Sequence, residues 1–314
     1  MMDISPAITL PALLAANRER DWYFVKPGGN WGDYLIYAGA EYLARSAGLR
    51  WTDLDFRTFD AERIPENAGI YLHGSGGFNP WGSRRAFDML KKAVGVRSAL
   101  VIQGPQSCDT GSPETVELFR AAFAQSAASE IHLFAREAAS ASFLETVLPQ
   151  DVRLHRDQDT AFYLDRSALL DLGQLSRLPA GRYSLFVSRE DEEQPAVLPN
   201  VKRPSVVMDP AIYAISFRHW IRIHAFARSI TTNRLHSAIV GALLDKPVVL
   251  MSGSYHKNRS IWEYSLQERG VTWHEQNGEP GGQGATQKIG LPPVVANSWK
   301  VQRTLMWLRG VPAS

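Results

Sequence analysis

Four stretches of this chain set ligand-capable side chains between a short apolar run and an amphipathic one. They are Gly28-Gly29-Asn30-Trp31-Gly32-Asp33, His73-Gly74-Ser75-Gly76-Gly77-Phe78-Asn79, Phe134-Ala135-Arg136-Glu137 and Thr231-Thr232-Asn233-Arg234-Leu235-His236-Ser237. Arginine offers a planar fork that matches carboxylate or phosphate oxygens, which suits Arg136 and Arg234 to a small anion. The ordinary alternative for Arg136 is a surface ion pair. His236 is a proton donor or acceptor by type. Its rival reading is a core histidine with a satisfied hydrogen bond, but its place in the first turn of a helix favours a ligand role. Asn233 is a good N-cap for that helix. Asp33 falls in a first helical turn, where the dipole favours a carboxylate; capping and a sugar-hydroxyl contact or base role stand equal there. The glycine run at 74–77 is not a dinucleotide fingerprint and lacks the Gly-Lys-Ser/Thr of a P-loop.

The elements that must position these residues follow one rhythm: apolar strand, glycine or polar turn, amphipathic helix. Trp22-Val25, Gly69-Leu72, Ala99-Gln103 (with Val94 and Val96 leading in), Ile131-Phe134 and Val152-Leu154 read as strands. A helix from Trp31 carries Leu35, Ile36, Gly39, Ala40, Leu43 and Ala47 on one face, and another runs through Ala138-Val147. The second half repeats the pattern with Tyr183-Val187, Ser205-Met208, Ser229-Thr232 and Val248-Met251, and a helix over Asn233-Leu244. Glu279-Gly284 reads as a surface loop and Asn297-Leu308 as a helix. Such alternation predicts an α/β protein with parallel sheets, because parallel strands need crossover connections. The expected domains are 1–165, a linker at 166–182, 183–295, and a terminal helix at 296–314 that packs back on the first domain. Ligands in such sheets gather where strands end and helices begin, which is where the four stretches lie.

The chain has 314 residues, enough for two cores, and is 45% hydrophobic and 21% charged. Its 34 Lys plus Arg against 32 Asp plus Glu leave +2, too small a field to indicate nucleic acid. Cys108 is the one cysteine, so no intrachain disulfide forms, a reducing compartment fits, and no neighbouring base marks the thiol as a nucleophile. The first fourteen residues lack a basic region and are broken by Pro6 and Pro11, unlike a signal peptide. No run approaches the ~20 apolar residues of a membrane span. The histidines show no paired metal-ligand spacing, so no metal is expected. The expected location is cytoplasmic, with peripheral contact at the inner face of the membrane left open.

Taken in order, these motifs resemble the polysaccharide pyruvyltransferase family. Gly29-Asn30-Trp31-Gly32-Asp33 is similar to its opening Gly-Asn-x-Gly-Asp, and Gly74-Ser75-Gly76-Gly77 to its glycine run. Gln103-Gly104-Pro105-Gln106-Ser107 resembles its Gln-Ser motif, with Gly104 unusual. Arg136-Glu137 with Ser140, and Asp159-Thr160-Ala161-Phe162, resemble its Arg-acidic and Asp-x-Ala-Phe motifs. Asn233-Arg234-Leu235-His236-Ser237 and Asp245-Lys246-Pro247-Val248 resemble its Arg-Leu-His helix and Lys-Pro-Val strand. Together they cover roughly residues 24 to 260.

The resemblance implies two Rossmann-like domains facing across a cleft (a GT-B-like arrangement), the first on the acceptor side and the second on the donor side. It implies phosphoenolpyruvate as co-substrate without a further cofactor, a sugar or lipid-linked oligosaccharide acceptor, and a pyruvate ketal as product. Carried onto this sequence, it makes His236 the general acid, with Asp33 as the second catalytic group. Arg136, Arg234, Asn233, and more weakly Arg189 and Lys257, would bind the donor. Asn30, Trp31, Gly32, Gly76, Gly77 and Gln106 would face the acceptor. Two rivals share the fold. One is a nucleotide-sugar glycosyltransferase, in which Glu263 would hold the ribose. The other is a non-catalytic sugar-binding or assembly protein, for which an acid beside two arginines has no use.

Overall fold

The computed structural model describes residues 8–80, 84–187, 205–252 and 257–275. The chain divides into two compact units: the first takes Leu35–Tyr163 and the chain up to Gly29, the second takes Asn30–Tyr34 and the chain from Leu164 onward. Both are α/β, each built on one all-parallel sheet.

In the first unit, helix α1 (Leu10–Ala16) precedes six strands: β1 (Asp21–Lys26), β2 (Arg50–Asp55), β3 (Gly69–Leu72), β4 (Leu100–Gln106), β5 (Glu130–Ala135) and β6 (Val152–Arg156). Helices α2 (Trp31–Ser46), α3 (Arg85–Val94), α4 (Pro113–Phe123) and α5 (Ala138–Val147) make connections between them. The strand order is β2-β1-β3-β4-β5-β6. Alternate side chains enter two separate cores, since a strand shows its faces with period two. Val25, Ile70, Leu72, Val101, Ile131 and Leu133 lie in one core. Trp22, Phe24, Tyr71, Leu100, Ile102 and Phe134 lie in the other. Burial on both faces is why these strands read as continuous apolar runs. Edge strand β2 alternates only between exposed and half-buried positions and carries no such signal.

Helix α2 approaches the backbone of 160–161 so closely that a Cβ on Gly39 would lie 2.0 Å from the Thr160 carbonyl oxygen. Thr160 Oγ1 donates to the Ile36 carbonyl at 2.8 Å, so both the glycine and the Asp159-Thr160 motif have a packing role. Val94, expected to lead into a strand, instead ends α3; the chain turns at Gly95 before β4 begins at Leu100.

In the second unit the strands are β7 (Tyr183–Val187), β8 (Ser205–Met208), β9 (Ala227–Thr232), β10 (Val248–Met251) and β11 (Thr272–His274), in the order β11-β10-β9-β7-β8. Helices α6 (Arg166–Leu172), α7 (Pro210–Tyr213), α8 (Phe217–Ala225), α9 (Leu235–Leu243) and α10 (Lys257–Ile261) accompany them, with a π-helical turn at Trp262–Leu266. The stretch 166–182, expected as a linker, thus contains a helix. Asp165 caps α6 by accepting from Ala168 N at 2.7 Å, and α6 packs on α8 and α9. The loop read at 279–284 and the helices read at 297–308 and 296–314 lie outside the described residues.

Strand order reverses between β1 and β3 in the first sheet and between β7 and β9 in the second. Crevices at such reversals, beyond the carboxyl ends of the strands, are where open α/β sheets bind ligands.

Candidate functional site

The second unit carries the arginine–histidine junction. β9 ends at Thr232 and α9 begins at Leu235, with Arg234 rather than Asn233 as the capping residue. The reason is local: Thr232 Oγ1 accepts from Arg234 N at 2.8 Å, while the Asn233 carbonyl accepts from Asn258 Nδ2 at 2.9 Å. The Arg234 guanidinium meets the carboxylate of Asp209 in a two-pronged pair, with Nε to Oδ1 at 2.7 Å and Nη2 to Oδ2. Asp209 is fully buried at the end of β8, where it also accepts from Ala211 N and caps α7. Its signal in the sequence was Met208-Asp209-Pro210, a strand end followed by a capping acid and a first-turn proline.

His236 is half-buried in the first turn of α9 and faces the first turn of α2. A Cβ built on Gly32 would stand 2.6 Å from His236 Nδ1 and 2.9 Å from its Cβ, so only glycine fits against the imidazole. That turn is locked by a reciprocal cap. Asn30 Oδ1 accepts from Gly32 N at 2.8 Å, and Asp33 Oδ2 accepts from Asn30 N at 2.8 Å. Of the two roles open to Asp33, the geometry therefore supplies the capping one. Trp31 fixes the same turn by donating its indole N–H to the Ala214 carbonyl at 2.8 Å.

Behind α9 lies a histidine that no sequence signal singles out. His224 is buried, with Nδ1 2.8 Å from the Trp220 carbonyl and Nε2 2.9 Å from Ser237 Oγ. A carbonyl only accepts, so Nδ1 carries the proton and Nε2 accepts from the serine hydroxyl. Burial pushes His224 down to about 4, against a weaker upward pull from the Trp220 carbonyl. The neutral ring thus holds Ser237, the neighbour of His236.

In the first unit, polar groups crowd the carboxyl ends of β3, β4 and β5. Arg136 is fully buried, its Nε donating to Ser107 Oγ and its Nη1 to Asp159 Oδ2, each at 2.7 Å. It is an ion pair, as one reading expected, but an interior one. Gln106 accepts from Ser75 N through Oε1. Arg136 Nη2, Gln106 Nε2, Gln103 Oε1, Tyr71 Oη and both ring nitrogens of His73 have no hydrogen-bond partner among the described residues. Buried polar atoms are seldom left so, and these share three neighbouring strands. Gly104, the unusual residue of its motif, has a reason here: a Cβ would meet Tyr71 Oη at 2.3 Å. Gly77 lies close to Ser75 Oγ and Gln106 Nε2, while the Gly76 carbonyl accepts from Asn79 Nδ2 at 2.7 Å.

Of the residues selected from sequence, Asn30, Trp31, Gly32, Asp33, Asn233, Arg234 and His236 thus fall in the second unit, and Gly76, Gly77, Gln106 and Arg136 in the first. Lys257 opens α10, and Arg189 lies outside the described residues. Glu263, the candidate ribose holder, pairs with Arg259 at 2.5 Å. Cys108 is buried and its thiol is pushed well up by burial, which removes it as a nucleophile. Among the described residues, no group of three or more His, Cys, Asp or Glu side chains is arranged to hold a metal ion, and no helix is long and apolar enough to cross a membrane.

No protein-family model matches the chain, and no curated protein matches it. Among solved structures, an uncharacterised protein of Klebsiella pneumoniae is similar, with a TM-score of 0.61 and 21% identity over 85% of this chain and 97% of that one. That likeness is one of fold.

Proposed function

We propose that the protein is a pyruvyltransferase that moves the pyruvate unit of phosphoenolpyruvate onto two hydroxyls of a sugar. The observation that carries this reading is the contact of Gly32 with His236. It joins the opening Gly-Asn-x-Gly-Asp stretch to the Arg-Leu-His helix, two motifs far apart in sequence, around one histidine.

Phosphoenolpyruvate brings a phosphate and a carboxylate, and the first turn of α9 offers a positive dipole end beside Arg234. Asp209 holds the Arg234 fork in place, so the cation is preorganised rather than searching for its ligand. His236 protonates the methylene carbon, which leaves a cation-like centre at the carbon bearing the phosphate. One sugar hydroxyl adds there, phosphate leaves, and the second hydroxyl closes the ketal. Of the two hydroxyl protons released, one departs on the phosphate and the other restores His236. Asn30, Gly32 and Asp33 position the histidine by fixing the turn against it. In this reading the buried Gln106 serves the acceptor and the buried Arg136 the donor, which pairs the two units in a GT-B-like arrangement. Phosphoenolpyruvate as donor places the reaction in the cytoplasm.

Thermal unfolding with phosphoenolpyruvate, and separately with a panel of nucleotide sugars, tests the assignment, because a ligand that binds only the native state raises its stability. The expected result is a rise with phosphoenolpyruvate that is lost in Arg234→Ala and kept in His236→Ala, while His236→Ala loses turnover. A rise with a nucleotide sugar and none with phosphoenolpyruvate would overturn the reaction and leave the fold standing.

A further inference from the structure

Four large hydrophobic side chains are exposed among the described residues, and three of them share one edge of the second unit. Ile212 is 54% exposed, Ile215 is 64% and Tyr34 is 41%. The edge is continuous. The indole N–H of Trp31 reaches the Ala214 carbonyl, next to Ile215. The Tyr34 ring lies 5.1 Å from that of Trp31 and 6.0 Å from that of Phe217. Scattered single apolar residues on a surface need no explanation, but a contiguous group does.

Its charge says what would cover it. Between Pro210 and Leu244 the chain contains no Asp or Glu, while Arg218 and Arg222 stand one helical turn apart on α8. Arg218 is exposed, with Nη1 2.5 Å from Gln174 Oε1. The flanking acids are engaged: Asp209 is buried against Arg234 and Asp245 pairs with Arg166, while Asp33, in the first turn of α2, accepts from Asn30 N. Branched aliphatic side chains beside aromatic rings and arginines are the composition of interfacial segments that insert among acyl chains while their cations meet anionic headgroups. A second copy of the chain is a poorer occupant, because a stable interface takes about 800 Å² per partner, contributed by roughly 20–30 residues.

We propose that this edge, formed by Ile212, Ile215, Tyr34 and Trp31 with Arg218 and Arg222 beside them, docks on an anionic phospholipid surface. The proposal is independent of the reaction above, since it is read from binding alone. It goes beyond that reading by placing the reaction at a membrane, where a lipid-linked acceptor would be presented.

The test is co-sedimentation of the full chain with vesicles of phosphatidylcholine alone and of phosphatidylcholine with phosphatidylglycerol, at low and moderate salt. The wild-type chain is compared with Ile212→Ser/Ile215→Ser and with Arg218→Glu. The expected result is binding to the phosphatidylglycerol vesicles, weakened by salt and by Arg218→Glu, and reduced about tenfold or more by the double isoleucine variant. The double variant should keep the wild-type melting temperature and phosphoenolpyruvate response, because both side chains are exposed. Three outcomes would overturn the proposal: no binding to the anionic vesicles, binding that the isoleucine substitutions leave unchanged, or a dimer in solution that those substitutions dissolve while vesicle binding persists.

Discussion

Gly32 presents its bare Cα to the imidazole of His236, and there is no room for a methyl group between them. Gly32→Ala is therefore a test of position rather than of chemistry. The added carbon should displace the histidine and cost roughly 1–3 kcal/mol through overpacking. Turnover of phosphoenolpyruvate should fall by at least about tenfold while the donor-induced rise in melting temperature survives. A variant with wild-type turnover would remove His236 from the reaction.

Arg234→Lys keeps the charge and loses the fork. Lysine cannot match both oxygens of Asp209, so the cation is no longer fixed. Stabilisation by phosphoenolpyruvate, followed by calorimetry, should weaken by about tenfold or more, with a smaller effect on the melting temperature of the unliganded protein. Asp209→Asn should act in the same direction by freeing Arg234 from its ionic partner.

Acid stability should report on His224. Its folded value lies near 4 and its ordinary value near 6.5, so the unfolded chain binds the extra proton first as pH falls. The stability contributed by keeping this ring neutral is complete above about pH 6.5 and is lost as pH falls towards 4. The loss amounts to roughly 3 kcal/mol over that window. Chemical denaturation of wild type and His224→Gln across this range should show a shallower acid limb in the variant. Equal slopes would mean that the ring is not buried in solution.

Much of this architecture is legible in the sequence because both faces of the sheets are covered. Gly69–Leu72, Tyr183–Val187, Ser205–Met208 and Val248–Met251 are apolar runs of strand length, and the structure has strands with those bounds. Where a strand faces water, as in β2, the pattern vanishes, and where a helix ends at Val94 with Val96 just past its Gly95 cap, local composition imitates a strand. The side chains at strand ends could be picked out by type and spacing. Their partners could not: nothing near Arg136 in sequence announces Asp159, and nothing near Arg234 measures its distance to Asp209. Pairings of that kind are set by the order of strands in the sheet, which a linear pattern does not contain.

Gly39→Ala tests the close approach of α2 to Thr160. A Cβ 2.0 Å from a carbonyl oxygen cannot be accommodated by a side-chain movement, so helix or backbone must shift. The expected loss is about 1–3 kcal/mol or more in urea denaturation, with an unchanged slope if the unfolded state is unaffected.

The buried pair of Arg136 and Asp159 has a consequence for how such a sequence can drift. Removing one partner leaves an uncompensated interior charge, at a cost of about 3–5 kcal/mol, whereas exchanging both for well-packed apolar residues can be neutral. The two positions are thus inherited as one. Single steps away from the pair pass through a barely folded ancestor, so descendants of this chain should either keep both residues or have replaced both together.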